Sequence, residues 1–144
     1  MTSRFLSVAV LFLGVGCLAY AQDKPQINRT EAKNTAPDSG ADMFSTYCAV
    51  CHGPKGNGTG PAATALKKQP ADLTQLSKKN GGNFPAIRVA QFIEGEETIA
   101  SHGSRDMPIW GNVFRGMGPV GGSAGTTKLR IHNLTEYIKT LQEK

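Results

Sequence analysis

Residues 46–58 read TYCAVCHGPKGNG and bring two cysteines and a histidine close together. Cys48 and Cys51 are one helical turn apart, and His52 follows directly. On a helix, side chains three or four positions apart project from the same face. If this stretch is helical, two thiols and one imidazole converge on a single patch of the protein.

The residues before the cysteines predict that helix. Ser39 is a suitable N-cap, and Asp42 follows it at the spacing of a capping box. Apolar side chains then recur with the helical period, which predicts one buried face. The residues of this face are Met43, Phe44, Tyr47, Cys48 and Cys51.

Paired cysteines have several common uses. An exported protein can join them in a disulfide. A thioredoxin-like redox pair follows a strand in a βαβ unit, whereas the preceding residues 22–39 are polar and contain two prolines. A structural zinc site takes four Cys or His ligands, and outside the motif and the N-terminal apolar segment only His102 and His132 remain.

The pattern C-x-x-C-H is typical of c-type haem attachment, in which each thiol becomes a thioether and the histidine binds iron. A second signal is SRDMPIWG, residues 104–111, where Met107 offers a soft thioether ligand. Pro108 stiffens the adjacent backbone, and Trp110, the only tryptophan, can pack on the haem. Alone, Met107 would be typical of an ordinary core residue. After C-x-x-C-H it is the predicted second iron ligand.

Two other residues compete with Met107 for the iron. His102 is more typical of a surface or loop histidine. Met117 lies in a glycine-rich segment, residues 114–128, which predicts a mobile surface loop. Holding Met117 on iron would cost more backbone ordering. The alternative for this segment is a flap that contacts a partner near the haem edge.

With these residues the chain resembles the class I c-type cytochrome family over residues 39–144. HGPKGNGTGP, residues 52–61, is similar to the family's glycine-rich loop. The resemblance implies a small all-α fold, with several short helices and loops wrapped around one haem. The haem would be held covalently by Cys48 and Cys51.

The resemblance also implies roles for particular residues. His52 would be the proximal iron ligand, and the carbonyl of Pro61 would accept a hydrogen bond from its other ring nitrogen, fixing the ring. The first and last helices of the family meet. The residues implied to meet there are Gly40, Phe44, Leu134 and Tyr137.

The N-terminal residues predict export. MTSR is basic, FLSVAVLFLGVG is small or apolar, and Ala19-Tyr20-Ala21 matches a signal-peptidase site. Residues 1–21 are therefore predicted to be a signal peptide, 22–38 a flexible leader, and 39–144 the cytochrome c domain. Export predicts a periplasmic protein, since c-type haem is attached outside the cytoplasm. Cys17 leaves a lipid-anchored form as the alternative.

The remaining pattern predicts short helices. One covers residues 73–79, and the next is predicted to be capped by Asn83, with Ile87, Ala90 and Ile93 on its apolar side. The last helix is predicted over residues 127–142 with a buried stripe. That stripe consists of Ile131, Leu134, Tyr137, Ile138 and Leu141.

The predicted function is one-electron transfer, with no substrate-turnover site. His52 and Met107 together would leave no open iron position for oxygen or peroxide. The partners would be redox proteins, including transient docking to membrane-bound respiratory complexes. In a chain of net charge +5, lysine pairs 67–68 and 78–79 can steer an acidic partner. No nucleic-acid motif is present. The alternatives are a haem c subunit of a larger dehydrogenase or oxidase, and a haem enzyme or ligand sensor with an open distal site.

Overall fold

The computed structural model describes residues 32–96, 107–117 and 122–143. Their contacts belong to one compact unit, Glu31–Lys144. These residues form helices and loops without a strand, which confirms the predicted all-α fold. In chain order the elements are α1 Gly40–Met43, a π-helical turn Phe44–Cys48, α2 Ala49–His52, 3₁₀ turns Ala63–Ala65 and Leu73–Gln75, α3 Leu76–Lys79, α4 Ala86–Glu94, α5 Trp110–Arg115 and α6 Ala124–Thr140.

The predicted helix before the cysteines is present and begins as expected. The Ser39 hydroxyl accepts a hydrogen bond from the Asp42 amide at 3.2 Å, which satisfies one of the unpaired N–H groups of the first turn. The helix then widens into the π-helical turn Phe44–Cys48 before it returns to α-geometry. Such single π turns are rare and are frequent at functional sites. Here the turn ends at Cys48.

The long helix α6 provides the main packing partner for this segment. Ile131, Leu134 and Ile138 of the predicted stripe are buried, whereas Tyr137 and Leu141 are half-buried. Ser123 caps its start through a 3.1 Å hydrogen bond to the Thr126 amide, so α6 begins a few residues earlier than predicted. Four large side chains are almost completely removed from solvent where α1, the π turn, α5 and α6 meet. They are Met43, Phe44, Phe114 and Leu134.

Helix α4 differs from its prediction at the N-terminal end. Pro85, not Asn83, precedes its first residue, and no side chain caps it. Ile87 is 79% exposed, so it does not belong to the buried face. The buried residues are Val89 and Ile93, so Ile93 was predicted correctly, Val89 was missed, and Ala90 is half-buried. The prediction was wrong for Ile87 because the first turn of α4 lies outside the core.

The glycine-rich segment 114–128 is not a continuous surface loop. Phe114 is completely buried within α5, and Met117 is only 7% exposed. Ser123 and the residues after it belong to the cap and first turns of α6. The expectation of a mobile loop is therefore wrong for both ends of the segment. Burial of two large apolar side chains outweighed the local glycine content.

The described part of the leader, residues 32–38, contacts the folded domain. The Asn133 side chain donates to the Pro37 carbonyl at 3.0 Å, and the Tyr47 hydroxyl donates to the Lys33 carbonyl at 2.5 Å. The predicted signal peptide, residues 1–21, lies outside the described residues. Within the described ranges, no helix has both the length and the apolar character needed to cross a membrane.

Candidate functional site

The two cysteines and the histidine lie at the end of one helical segment, as their spacing predicted. Cys48 closes the π turn and is buried, whereas Cys51 and His52 lie on α2 and are half-buried. Both cysteines carry free thiols. The site therefore offers two thiols and an imidazole within one turn and a half of helix.

A single hydrogen bond sets the orientation of the His52 ring. Nδ1 lies 2.9 Å from the carbonyl oxygen of Ala71. Because a carbonyl oxygen only accepts, Nδ1 carries the hydrogen and Nε2 keeps its lone pair. Burial lowers the pKa of His52 from its usual value, although the bond to Ala71 opposes that shift. The ring is thus held neutral, which is the form that binds a metal.

The carbonyl partner differs from the one implied by the resemblance, which was Pro61. Pro61 is exposed, and its neighbour Ala62 donates to the Val50 carbonyl at 2.9 Å, so this part of the loop runs along the end of α2. Gly60 approaches the same helix so closely that a Cβ there would lie 2.5 Å from the Val50 oxygen. The loop satisfies the last carbonyls of α2 instead of reaching the ring.

Residues 70–73 are held in place by the glycine-rich loop. The Leu73 amide donates to the Gly56 carbonyl at 2.7 Å, and Asp72 caps the following 3₁₀ turn through the Thr74 amide at 2.9 Å. Gly58 has a positive φ of 80°, and a Cβ there would lie 2.5 Å from the Pro70 oxygen. These contacts place the Ala71 carbonyl opposite His52.

Cys48 has the properties of a neutral thiol. Burial, and secondarily the nearby Cys51, raise its pKa to about 12. Cysteines that act in thiol–disulfide exchange have lowered pKa values and partly exposed sulfur atoms. The environment of Cys48 therefore does not match that of a redox-active thiol pair.

The segment with Met107 reaches the same core. Met107 and Trp110 are half-buried and pack against the cluster that contains Cys48. The Trp110 ring lies 5.4 Å from that of Tyr47, the residue before Cys48, measured between centroids. Trp110 thus links the start of α5 to the helix that carries the cysteines. His102 lies outside the described residues.

Met117 is engaged elsewhere in the core. Its sulfur atom lies 3.5 Å from the Tyr47 hydroxyl. The Phe114 ring packs on the same tyrosine, with 5.7 Å between centroids. Met117 therefore lies beside both the hydroxyl and the aromatic packing of Tyr47.

This set of groups fits a covalently attached haem. Two free thiols suit two thioether bonds, and the free Nε2 of His52 suits the iron. Half-buried apolar side chains stand around the core cluster and provide the apolar surface that a porphyrin requires. They include Leu73, Leu76, Phe84, Ala90, Met107 and Trp110.

Sequence reasoning missed two contributors to this site. Ala71 acts through its backbone carbonyl, which no residue type encodes. The only related signal in the sequence is the neighbouring cap residue Asp72. Tyr47 was predicted as a buried helical residue, yet its hydroxyl also contacts Lys33, Thr35 and Met117. A tyrosine on an otherwise apolar face was the available signal, because a buried hydroxyl needs a partner.

Comparison with known families agrees with this geometry. A family model described as cytochrome c oxidase, cbb3-type, subunit III matches residues 35–138. No curated protein and no solved structure matched the chain. The matched residues include the cysteine–histidine motif, the Ala71 segment, Met107 and most of α6. The chain therefore belongs to the cbb3-type cytochrome c oxidase subunit III family, and its folded unit is a c-type cytochrome domain.

Proposed function

We propose that this protein is an exported mono-haem c-type cytochrome that carries one electron at a time between redox proteins, with His52 and Met107 as axial ligands. The observation that carries the proposal is the arrangement at α2. Cys48 and Cys51 are free, and Ala71 holds His52 with Nε2 available. The chain contains one C-x-x-C-H motif, which supports one haem.

The bound haem would supply the change between ferric and ferrous iron. The protein supplies attachment, orientation and a dry environment. The hydrogen bond from His52 to Ala71 keeps the ring fixed and makes Nε2 a stronger donor. The surrounding apolar side chains limit water, which tunes the potential through the local dielectric. These are the functions expected of a carrier rather than of an enzyme.

Met107 is the distal ligand that the chain favours. It is half-buried beside the core, next to Pro108, and three residues before the Trp110 ring that contacts Tyr47. Met117 has its sulfur against the Tyr47 hydroxyl, which supports a structural role for it. With both side chains bound, the iron would have no position open to external ligands.

A redox titration with carbon monoxide tests this proposal. The purified haem protein should titrate as one centre that takes up one electron, and its reduced form should not bind carbon monoxide. Carbon monoxide binding to the unmodified protein at neutral pH would indicate an open distal position. That result would favour the haem enzyme or ligand sensor over the carrier.

A second candidate is a haem c subunit of a larger oxidase or dehydrogenase. The matched family is described as a subunit of a cbb3-type oxidase, which favours this candidate. Affinity purification of a tagged chain from native membrane and soluble fractions separates the two. Stoichiometric recovery of the same partners after a high-salt wash supports the subunit. Recovery of the chain alone supports the carrier, because transient redox complexes bury little surface.

Partner docking would then involve the exposed lysine pairs. Lys67, Lys68, Lys78 and Lys79 are all exposed, and they support encounter with an acidic redox protein. The rate of electron exchange with such a partner should fall as salt increases. A rate of electron exchange that does not depend on salt would show that these lysines do not contribute to docking.

Export is tested at the N-terminus. The mature chain should begin at Gln22 and lack Cys17, so intact mass measurement of the periplasmic protein decides the question. A diacylglycerol-modified Cys17 at the N-terminus would show that the protein is lipid-anchored instead.

A further inference from the structure

Arg130 is a buried cation within α6. Its side chain is only 3% exposed, although arginine is almost never buried without a charged partner. Its Nε atom is buried and has no hydrogen-bond partner. An arginine guanidinium stays protonated in proteins. A full positive charge therefore lies inside the domain.

Within residues 32–96, 107–117 and 122–143, the partners of this charge are all neutral. Nη1 donates to the Thr35 hydroxyl at 3.2 Å, and Nη2 donates to the Asn34 side-chain oxygen at 3.1 Å. Nη1 also lies 4.0 Å from the Met43 sulfur. None of these three groups carries a negative charge, so the field of the guanidinium is not cancelled locally. A buried charge whose partners are neutral lowers the stability of the fold, so packing alone does not explain an arginine at this position.

Residues 33–37, here called the N-terminal strap, cover this cation. Besides the two bonds to Arg130, the strap accepts hydrogen bonds at the Pro37 and Lys33 carbonyls, from Asn133 and Tyr47. The strap therefore limits access of water to the guanidinium. A charge shielded from water acts over a longer distance than an exposed one.

The guanidinium is connected to the haem-attachment helix. The Thr35 hydroxyl that accepts from Arg130 lies 2.8 Å from the Tyr47 hydroxyl. Because Tyr47 donates to the Lys33 carbonyl, Thr35 can donate to Tyr47 in turn. Tyr47 directly precedes Cys48. Two hydrogen bonds thus separate the buried charge from the residue next to the first thiol.

We propose that Arg130 is an electrostatic tuning residue, whose strap-covered charge, paired only with neutral groups among the described residues, raises the reduction potential of the haem held by Cys48 and Cys51. This inference rests on the proposed function. Reduction adds one electron and makes the centre less positive, so a nearby buried cation favours the reduced form. The strap sets the size of the effect because it keeps the charge dry.

A pair of substitutions at Arg130 separates charge from packing. Arg130→Met removes the charge and keeps much of the stem, while Arg130→Lys keeps the charge. Asn34 is exposed and Thr35 is half-buried, so both can bind water when the guanidinium is absent. The midpoint potential of the haem protein should fall in Arg130→Met and stay near the original value in Arg130→Lys. Equal potentials for the two variants would overturn the proposal.

Asn34→Asp provides a test without loss of the arginine. It places a carboxylate where the amide oxygen already accepts from Nη2, so Arg130 gains a counter-charge within the same geometry. The potential should fall, and the free energy of unfolding should rise because a buried charge is compensated. Ala36→Asp is the control, since Ala36 is exposed like Asn34 but is not one of the described contacts of Arg130. It should cause smaller changes in both quantities.

The outcomes distinguish this proposal from the proposed function. Covalent haem with the same potential in the original protein, Arg130→Met and Asn34→Asp would overturn the tuning role and leave the carrier intact. Absence of covalent haem from the original protein would overturn both. If Arg130→Met does not fold, Asn34→Asp and Ala36→Asp decide alone, and equal potentials for those two variants would overturn the proposal.

Discussion

Gly40 lies directly against Tyr137 where α1 crosses α6. A Cβ atom at Gly40 would lie 2.8 Å from the Tyr137 Cβ and 2.2 Å from the Asn133 carbonyl oxygen. One turn further along, the Phe44 and Tyr137 rings pack with 5.4 Å between their centroids. The two helices can approach this closely only because residue 40 has no side chain.

Gly40→Ala should therefore destabilise the protein. The added methyl group must push α1 away from α6, and overpacking of this kind costs about 1–3 kcal/mol. Gly125→Ala is the matched control, because Gly125 lies in the first turn of α6 and a Cβ there would meet only the Ser123 hydroxyl, at 3.7 Å. Alanine there should leave stability unchanged or raise it by up to about 1 kcal/mol. Denaturant unfolding of the haem proteins measures both. Equal stabilities for the two variants would contradict a tight crossing.

The resemblance to class I c-type cytochromes implied this crossing, whereas the two helices themselves follow from the residues. Ser39 and the apolar spacing define where the first helix begins and which side is buried, and α6 shows the same periodicity around Leu134. Periodicity does not reveal a π turn, because one wider turn leaves the residue types unchanged. It also failed at Ile87 and at Phe114, where tertiary packing, not local composition, decides which side chains are buried.

The candidate site was predictable to a similar degree. Cys48, Cys51 and His52 act through side chains at a fixed spacing, so their arrangement follows from helix geometry. Ala71 acts through a backbone carbonyl, whose position depends on the path of two loops. Arg130 resembles any surface arginine in sequence, and its bonds to Asn34 and Thr35 depend on the docking of residues 33–37.

Gly58→Ala should disturb the hydrogen bond between His52 and Ala71. The new Cβ would press on the Pro70 oxygen and displace the Ala71 carbonyl. We expect a stability loss of about 1–2 kcal/mol for the positive φ, plus about 1–3 kcal/mol for the contact. The reduction potential should rise, because a weaker bond at Nδ1 makes His52 a poorer donor to ferric iron.

Gly82→Ala is the control that measures the cost of a positive φ alone. Gly82 also has a positive φ, of 89°, but a Cβ there meets nothing within 4 Å. Gly82→Ala should lose only the stability that the positive φ costs, about 1–2 kcal/mol, and should keep the reduction potential of the original protein. Matching potentials in Gly58→Ala and the original protein would show that the Ala71 carbonyl is not displaced, or that it does not influence the iron.

Covalent attachment is tested by replacing both thiols. Cys48→Ser with Cys51→Ser should abolish covalent haem, because serine forms no thioether. The original protein should retain haem staining on a denaturing gel at its own mass, and each single variant should retain one bond. Extraction of haem from the original protein by acidified organic solvent would contradict attachment through these cysteines.

The last prediction concerns the distal ligand, for which Met107, Met117 and His102 compete. Met107→Ala should abolish the sulfur-to-iron charge-transfer band of the oxidised protein, lower its potential and allow the reduced form to bind carbon monoxide, because removal of the thioether opens the iron. Met117→Ala should keep the band although it removes a buried side chain at a cost of about 2–5 kcal/mol, since the Met117 sulfur contacts the Tyr47 hydroxyl. His102→Ala should also keep it. One absorption spectrum of each oxidised variant, taken after covalent haem has been verified, provides the measurement. Loss of the band in Met117→Ala, together with its retention in Met107→Ala, would identify Met117 as the distal ligand. Tyr47 would then position the Met117 sulfur for the iron.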